Sequence, residues 1–142
     1  MSAGKQILTH EDYTRLADFR YALRCFLEFS EKAAAAEGLT PQQHQALLVI
    51  RASPGAQANI GRLAERLRIR HHSAVELAKR LEVAGLVVRE TSPADRRSVI
   101  LRLTEEGGNR LEYLTHVHRN ELRQLSPEIM ALFQSMEREG DA

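Results

Sequence analysis

Apolar residues recur along this chain at helical spacing in several stretches and alternate with other residues in one. From Asp12 to Ala36 the inward positions are Leu16, Phe19, Leu23, Phe26, Leu27, Ser30 and Ala34, which predicts a helix of several turns. It should end near Gly38, where a missing Cβ permits a left-handed cap. Thr40-Pro41-Gln42-Gln43 then supplies an N-cap, a proline at the first helical position and a Gln placed to close a capping box. The second helix runs through Leu47, Leu48 and Ile50 and stops at Ser53-Pro54-Gly55. Residues 60–67 predict a short third helix burying Ile60, Leu63, Ala64 and Leu67. Arg68-Ile69-Arg70 is a tight connection to a fourth helix over 71–84, capped by Gly85, with Val75, Ala78 and Leu81 inward.

The texture changes after Gly85. Leu86 to Glu90 is β-prone, Ser92 to Asp95 is a turn cluster, and Val99, Leu101 and Leu103 alternate with Ile100 and Arg102. This predicts a two-stranded ribbon with a polar tip. Thr104-Glu105-Glu106 opens a fifth helix, with a cap and two acids at the positive end of its dipole. Its stripe is Leu111, Leu114, His118, Leu122 and Leu125. Ser126-Pro127-Glu128 predicts the start of a separate last helix with Ile129, Leu132, Phe133 and Met136 on one face. With no repeat and no linker, the pattern reads as one compact unit.

Composition narrows the class. The chain has 142 residues, 43% of them hydrophobic, enough for a packed core. Seven aromatics and no Trp argue against an aromatic-rich β-sandwich. The longest aliphatic run is Ala46 to Ile50, and the first ten residues hold one Lys and no apolar stretch. Together these predict a soluble cytoplasmic protein with neither a membrane span nor a secretory signal. One cysteine, Cys25, rules out an internal disulfide.

The net charge of +1 hides an asymmetry. Residues 62–102 carry ten cations, nine of them Arg, against five acids, whereas residues 103–142 carry four against eight. Arginine's planar donor fork suits phosphate oxygens and guanine edges. A basic middle between neutral and acidic flanks is the footprint of a local nucleic-acid contact. Two short helices with a three-residue connection, followed by a basic-tipped ribbon, make a winged helix-turn-helix. The second helix of such a pair fits the major groove, and the first braces it across the backbone. Arg70, His71, His72 and Ser73 stand at the leading end of the fourth helix, where base-reading groups are presented. Lys79 and Arg80 suit phosphates. Glu76 either accepts from cytosine N4 or pairs with Arg80 four residues on. Arg96 and Arg97 stand at the ribbon tip beside Asp95, which is placed to hold one guanidinium.

Residues 60–107 resemble the DNA-binding core of the MarR family (multiple antibiotic resistance regulators). The resemblance rests on Leu63-Ala64, on Arg80-Leu81-Glu82-Val83-Ala84-Gly85-Leu86-Val87, and above all on the wing from Asp95 to Gly107, with Asp-x-Arg followed by Leu-x-Leu-Thr-x-x-Gly. The flanking helices agree in order and length. The resemblance implies a mostly α fold (α+β): a winged helix over 40–104 with N- and C-terminal dimerisation helices at 10–38 and 105–142, together a single MarR-like domain. It implies a homodimeric transcription regulator, usually a repressor, on a pseudo-palindromic operator of double-stranded DNA, released by a small phenolic or other ligand or by an oxidant. Arg97 takes the minor-groove role, oriented by Asp95, and His71, His72 and Ser73 take the base-reading role. The ligand site it implies lies in a crevice that Arg20, Phe26, His44 and Arg51 are candidates to line.

A dimer also follows from the residues. The terminal stripes are far in sequence from a winged core of roughly 45–50 residues, a size that buries little surface alone. Two-fold symmetry would set recognition helices about 34 Å apart, or about 10 base pairs.

Other chemistries are weaker. Cys25 beside Phe26 reads as a small buried hydrophobe, with a redox sensor as the alternative because Arg20 and Arg24 are close in sequence. His10, His44, His71, His72, His116 and His118 show no metal-ligand spacing, since His116 and His118 diverge by about 200° on a helix, which leaves a metal-sensing regulator acting through the histidines as an alternative only. No Gly-rich phosphate loop, nucleophile elbow or paired-carboxylate signature points to an enzyme, and nothing calls for a cofactor. The basic block lacks the aromatics that single-strand stacking needs.

Overall fold

The computed structural model describes the backbone of residues 7–140 and all their side chains except those of residues 126, 128, 135, 136 and 138–140. Met136, expected on the last apolar face, therefore lies outside the described side chains.

Helix α1 (His10–Ala36) begins two residues before the apolar pattern does. Thr9 N–H donates to Asp12 Oδ2 (2.8 Å) and Asp12 N–H donates to Thr9 Oγ1 (3.3 Å), a reciprocal cap that satisfies donors of the first turn. At the other end Gly38 takes φ +74°, and Gly38 and Leu39 N–H return to the Ala35 and Ala34 carbonyls. Helix α2 (Pro41–Ala52) carries the expected capping box: Gln43 N–H donates to Thr40 Oγ1 (3.1 Å) and Thr40 N–H donates to Gln43 Oε1 (2.9 Å).

A single 3-10 turn at Pro54–Ala56 leads into strand β1 (Gln57–Asn59), helix α3 (Ile60–Leu67) and helix α4 (His71–Val83). Strands β2 (Val87–Thr91) and β3 (Val99–Leu103) form the hairpin, and helix α5 (Glu105–Gly140) follows. The sheet has three antiparallel strands in the order β1-β3-β2, not the two of the ribbon alone. Ala58 pairs with Leu101 and Arg89 pairs with Leu101 from the other side, so the fully buried Leu101 sits mid-sheet. β1 went unread because three residues are too few to show alternation, and its partner strand lies far along the chain.

The separate last helix is also corrected. α5 runs unbroken through Pro127. An internal proline removes one backbone bond and costs about 3 kcal/mol. The packed face nevertheless continues beyond it: Phe133 lies edge-on to Phe19, ring centroids 6.2 Å apart.

Two units are distinguished among the described residues. The first comprises residues up to Ser30 and from His118 onward. In it, Leu16, Leu23, Leu27, Leu122, Met130 and Phe133 stay exposed. The second, Glu31–Val117, holds the hydrophobic core, centred on Leu47, Ile50, Leu63, Leu81, Leu86, Leu101 and Leu114. On α4 the buried face is Ala74, Leu77, Ala78 and Leu81, and Val75, also expected inward, is half-buried and packs against the core.

One junction explains the wing's end motif. Thr104 Oγ1 donates to Gly85 O (2.6 Å) and accepts from Gly107 N–H (3.1 Å), so a single hydroxyl ties the α4 cap to the start of α5. Thr104 N–H also donates to Leu86 O (3.0 Å). A Cβ on Gly107 would lie 2.1 Å from Leu86 O, so only glycine admits this approach.

Candidate nucleic-acid interface

Asn59 caps α3, its side chain accepting from Arg62 N–H (2.7 Å). The chain reverses at Arg68, in the left-handed region (φ 58°, ψ 42°), and Ile69 N–H returns to Ala64 O (3.0 Å). Arg70 then opens α4 with extended backbone and no side-chain cap bond. The three-residue connection read from the sequence is therefore a left-handed turn between α3, with the expected bounds, and α4, which ends one residue earlier than expected.

Arg70, His71, His72, Glu76, Lys79 and Arg80 are exposed, and Ser73 is half-buried. Their outward side is opposite the buried Ala74–Leu81 face. Glu76 pairs with Lys79 (3.6 Å), not with Arg80. Positions three and four apart are both neighbours on a helix surface, so either cation can answer the acid. Between two exposed groups this pair contributes little.

At the wing tip Asp95, Arg96 and Arg97 are exposed. Asp95 does not hold a guanidinium. Its Oδ1 accepts from Arg97 backbone N–H (3.0 Å), and Ser98 N–H donates to Asp95 O (3.0 Å). The carboxylate accepts one backbone N–H within the turn, a short-range bond that local geometry makes easy. Asp95 shapes the tip and leaves the guanidinium groups of Arg96 and Arg97 outside any ion pair among the described residues.

The remaining candidates divide between the units. Arg20 is exposed, and Phe26 lies edge-on to His118 at 5.9 Å, both in the first unit. In the second, His44 is buried within α2, while Arg51 lines an open groove of about 700 Å³ between α2 and α5. Cys25 is half-buried, not buried, because it lines an open groove of about 560 Å³ with Tyr21 and Phe19. The hydrogen bond to Cys25, with the charge of that neighbour, raises the Tyr21 hydroxyl above its ordinary value. Among the described residues no group of three His, Cys, Asp or Glu is placed to hold a metal ion, and no helix is long and apolar enough to cross a membrane.

Sequence reasoning counted Arg62, Arg66 and Arg68 as charge but gave them no site. The structure gathers all three around one groove of about 640 Å³ between α2 and α3. The signal present in the sequence was the four-residue spacing of Arg62 and Arg66.

Residues 37–98 match the model of the MarR family. That segment, less than half of the chain, is similar to the MarR family. The match ends inside the wing, before β3. The chain is similar to AbsC, a MarR family transcriptional regulator from Streptomyces coelicolor (22% identical, 97% of this chain and 100% of that one, TM-score 0.70). It is likewise similar to Sco3205, a MarR family regulator of the same organism solved in complex with DNA (23% identical, 96% and 89%, TM-score 0.71). A curated protein of Thauera aromatica, provisionally named as a transcriptional regulatory protein for the hcr operon, is 35% identical over 88 residues, 62% of this chain and 52% of its own length. The chain thus spans about half the length of that curated relative.

Proposed function

We propose that this protein is a cytoplasmic, sequence-specific, duplex-DNA-binding transcription regulator and not an enzyme. One observation carries the reading: the helix after the turn and the wing tip offer exposed cations and imidazoles in the same unit, over a core that leaves them no structural duty. Arg70, His71, His72 and Ser73 supply base contacts. Lys79, Arg80 and Arg96 supply phosphate contacts. Arg97 enters the adjacent minor groove, where negative potential is concentrated. The likeness to a regulator solved with DNA supports this assignment.

The test is a duplex shift assay on sites selected from a random pool. Arg97→Ala weakens binding on every sequence, and His72→Ala relaxes preference at defined positions. Wild-type behaviour in both variants would remove the reading.

A homodimer completes it. Leu23, Leu27 and Phe133 are each close to half exposed, an apolar surface that a second copy would cover. Such a dimer reads a pseudo-palindrome, and occupancy of an operator represses. Release by a phenolic acid is supported by the α2–α5 groove, where the Arg51 guanidinium can meet a carboxylate and Leu48 an aromatic ring, although Glu105 and Glu112 also line it. Duplex release by a simple phenolic acid, lost in Arg51→Ala, tests it. Oxidant release through Cys25 is the second reading, favoured by its half-exposed place beside Tyr21. Peroxide titration with and without Cys25→Ser decides it, and equal release in both ends the idea.

A further inference from the structure

Arg89 is the outermost residue of β2 to be covered. Burial alternates along the strand: Val87 is buried, Val88 exposed, Arg89 half-buried, and Glu90 and Thr91 exposed. Arg89 therefore shares the inner face with Val87, and its partner across the ladder is the fully buried Leu101. A charge on an inner face costs free energy unless it is answered. Arg89 Nη1 lies 3.9 Å from Glu82 Oε1 on α4. Its Nε is closed off from solvent and makes no hydrogen bond among the described residues. The guanidinium is thus only partly compensated where it sits.

An apolar side chain would suit this packing at least as well, so stability does not account for the charge. An ion pair with side chains 27% and 46% exposed contributes little to it. Its place in the fold is what distinguishes the pair. Glu76–Lys79 lies within α4, and Glu90–Arg102 lies within the hairpin. Glu82–Arg89 joins the two. Glu82 follows the buried Leu81 by one position, about 100° round the helix, so it stands on the flank of α4. From there it meets the last covered residue of β2, short of the exposed tip at Asp95, Arg96 and Arg97.

We infer that Glu82 and Arg89 are positioning residues for duplex binding: their ion pair sets the direction of the wing against α4, so that Arg97 meets the minor groove while α4 lies in the major groove. The inference rests on the DNA reading proposed above. Neither residue needs to touch DNA. Arg89 is on the inner face, and Glu82 carries the same sign as a phosphate. The pair acts on the span between two contacts. A linked wing holds that span before binding, whereas a loose one must be ordered on binding, at a cost in affinity.

The experiment is a double-mutant cycle in affinity for a selected duplex. It uses Glu82→Gln, Arg89→Met, their combination, and each single variant joined to Arg97→Ala. Methionine keeps an unbranched stem on the inner face, and Glu82→Gln, at an exposed side chain, keeps the test open if Arg89→Met fails to fold. Charge alone predicts opposite effects, since loss of an acid tightens duplex binding and loss of a cation weakens it. Loss of the link predicts that each variant weakens binding about five-fold and that the combination is no worse than either. Beside Arg97→Ala there is no wing contact left to aim, so neither variant is expected to cost more than about two-fold. Hydroxyl-radical protection in the minor groove is expected to fade in the single variants while guanine protection under α4 persists. Tighter or unchanged binding by Glu82→Gln, additive losses, a full loss beside Arg97→Ala, or equal fading in both grooves overturns the inference and leaves the DNA reading standing. An Arg97→Ala variant that binds like the wild type removes the wing contact from that reading and the inference with it. A wild type that binds no duplex overturns both.

Discussion

His118 Nε2 lies 2.7 Å from Ser30 Oγ, and the imidazole sits edge-on between Phe26 and Phe29, at 5.9 and 5.6 Å between centroids. A polar ring among aromatics is stable because its nitrogen is answered by the hydroxyl. His118 thus occupies a core position of the first unit and is not a metal candidate. His118→Ala should cost about 2–3 kcal/mol, the loss of a packed ring and a hydrogen bond. Ser30→Ala should cost about 1 kcal/mol. Urea unfolding at one fixed protein concentration measures both, and a neutral His118→Ala would mean the ring contributes no packing.

Adjacent glycines at the start of α5 should respond in opposite directions. Gly107→Ala drives a methyl into the Leu86 carbonyl and is expected to destabilise by about 3 kcal/mol or more, or to prevent folding. Gly108 has nothing within 4 Å of a Cβ, so Gly108→Ala should stabilise by about 1 kcal/mol through helix propensity. Thermal melts of the two variants separate close approach from mere flexibility.

The wing tip gives a test of how Asp95 acts. Asp95→Asn keeps an oxygen for Arg97 N–H, whereas Asp95→Ala removes it. If the carboxylate works by shaping the turn, the Asn variant should bind duplex like the wild type, and the Ala variant should lose about five-fold, near 1 kcal/mol. Equal losses in both would instead mark the charge as what matters.

The exposed leucines of α1 predict the assembly. Leu23→Glu with Leu27→Glu should shift the protein to a monomer in sedimentation equilibrium and lower its thermal stability, because a charge then faces the apolar contact. It should also weaken operator binding far more than binding to a single half-site. An unchanged mass would remove the homodimer from the proposal.

Several features were legible in the sequence because they are built from neighbours. Thr40 and Gln43 make their two bonds within one turn, so the start of α2 could be read directly. The bounds of α3 and α4 followed from periodicity and from the Arg68–Arg70 interruption. Gly85 was legible as the cap of α4, whereas the Thr104-x-x-Gly107 spacing marked only a resemblance and did not disclose the Leu86 carbonyl that makes glycine obligatory. The choice of Lys79 over Arg80 by Glu76 was beyond sequence reading, since both spacings are equally near on a helix. So was Asp95's bond to a backbone amide, which depends on the conformation of the turn.

The sequence by itself determined where α2, α3 and α4 begin, which of their faces are apolar, and that cations crowd the middle of the chain. Those properties arise from hydrogen bonds and side-chain spacing over a few residues. Tertiary structure alone decided that Gln57–Asn59 joins the sheet through Leu101, that the last helix continues past Pro127, and that Arg62, Arg66 and Arg68 share a groove with α2. Each of these depends on the packing of segments distant in the chain, or on a conformational cost outweighed by that packing. No short window of sequence contains the partner that settles the balance.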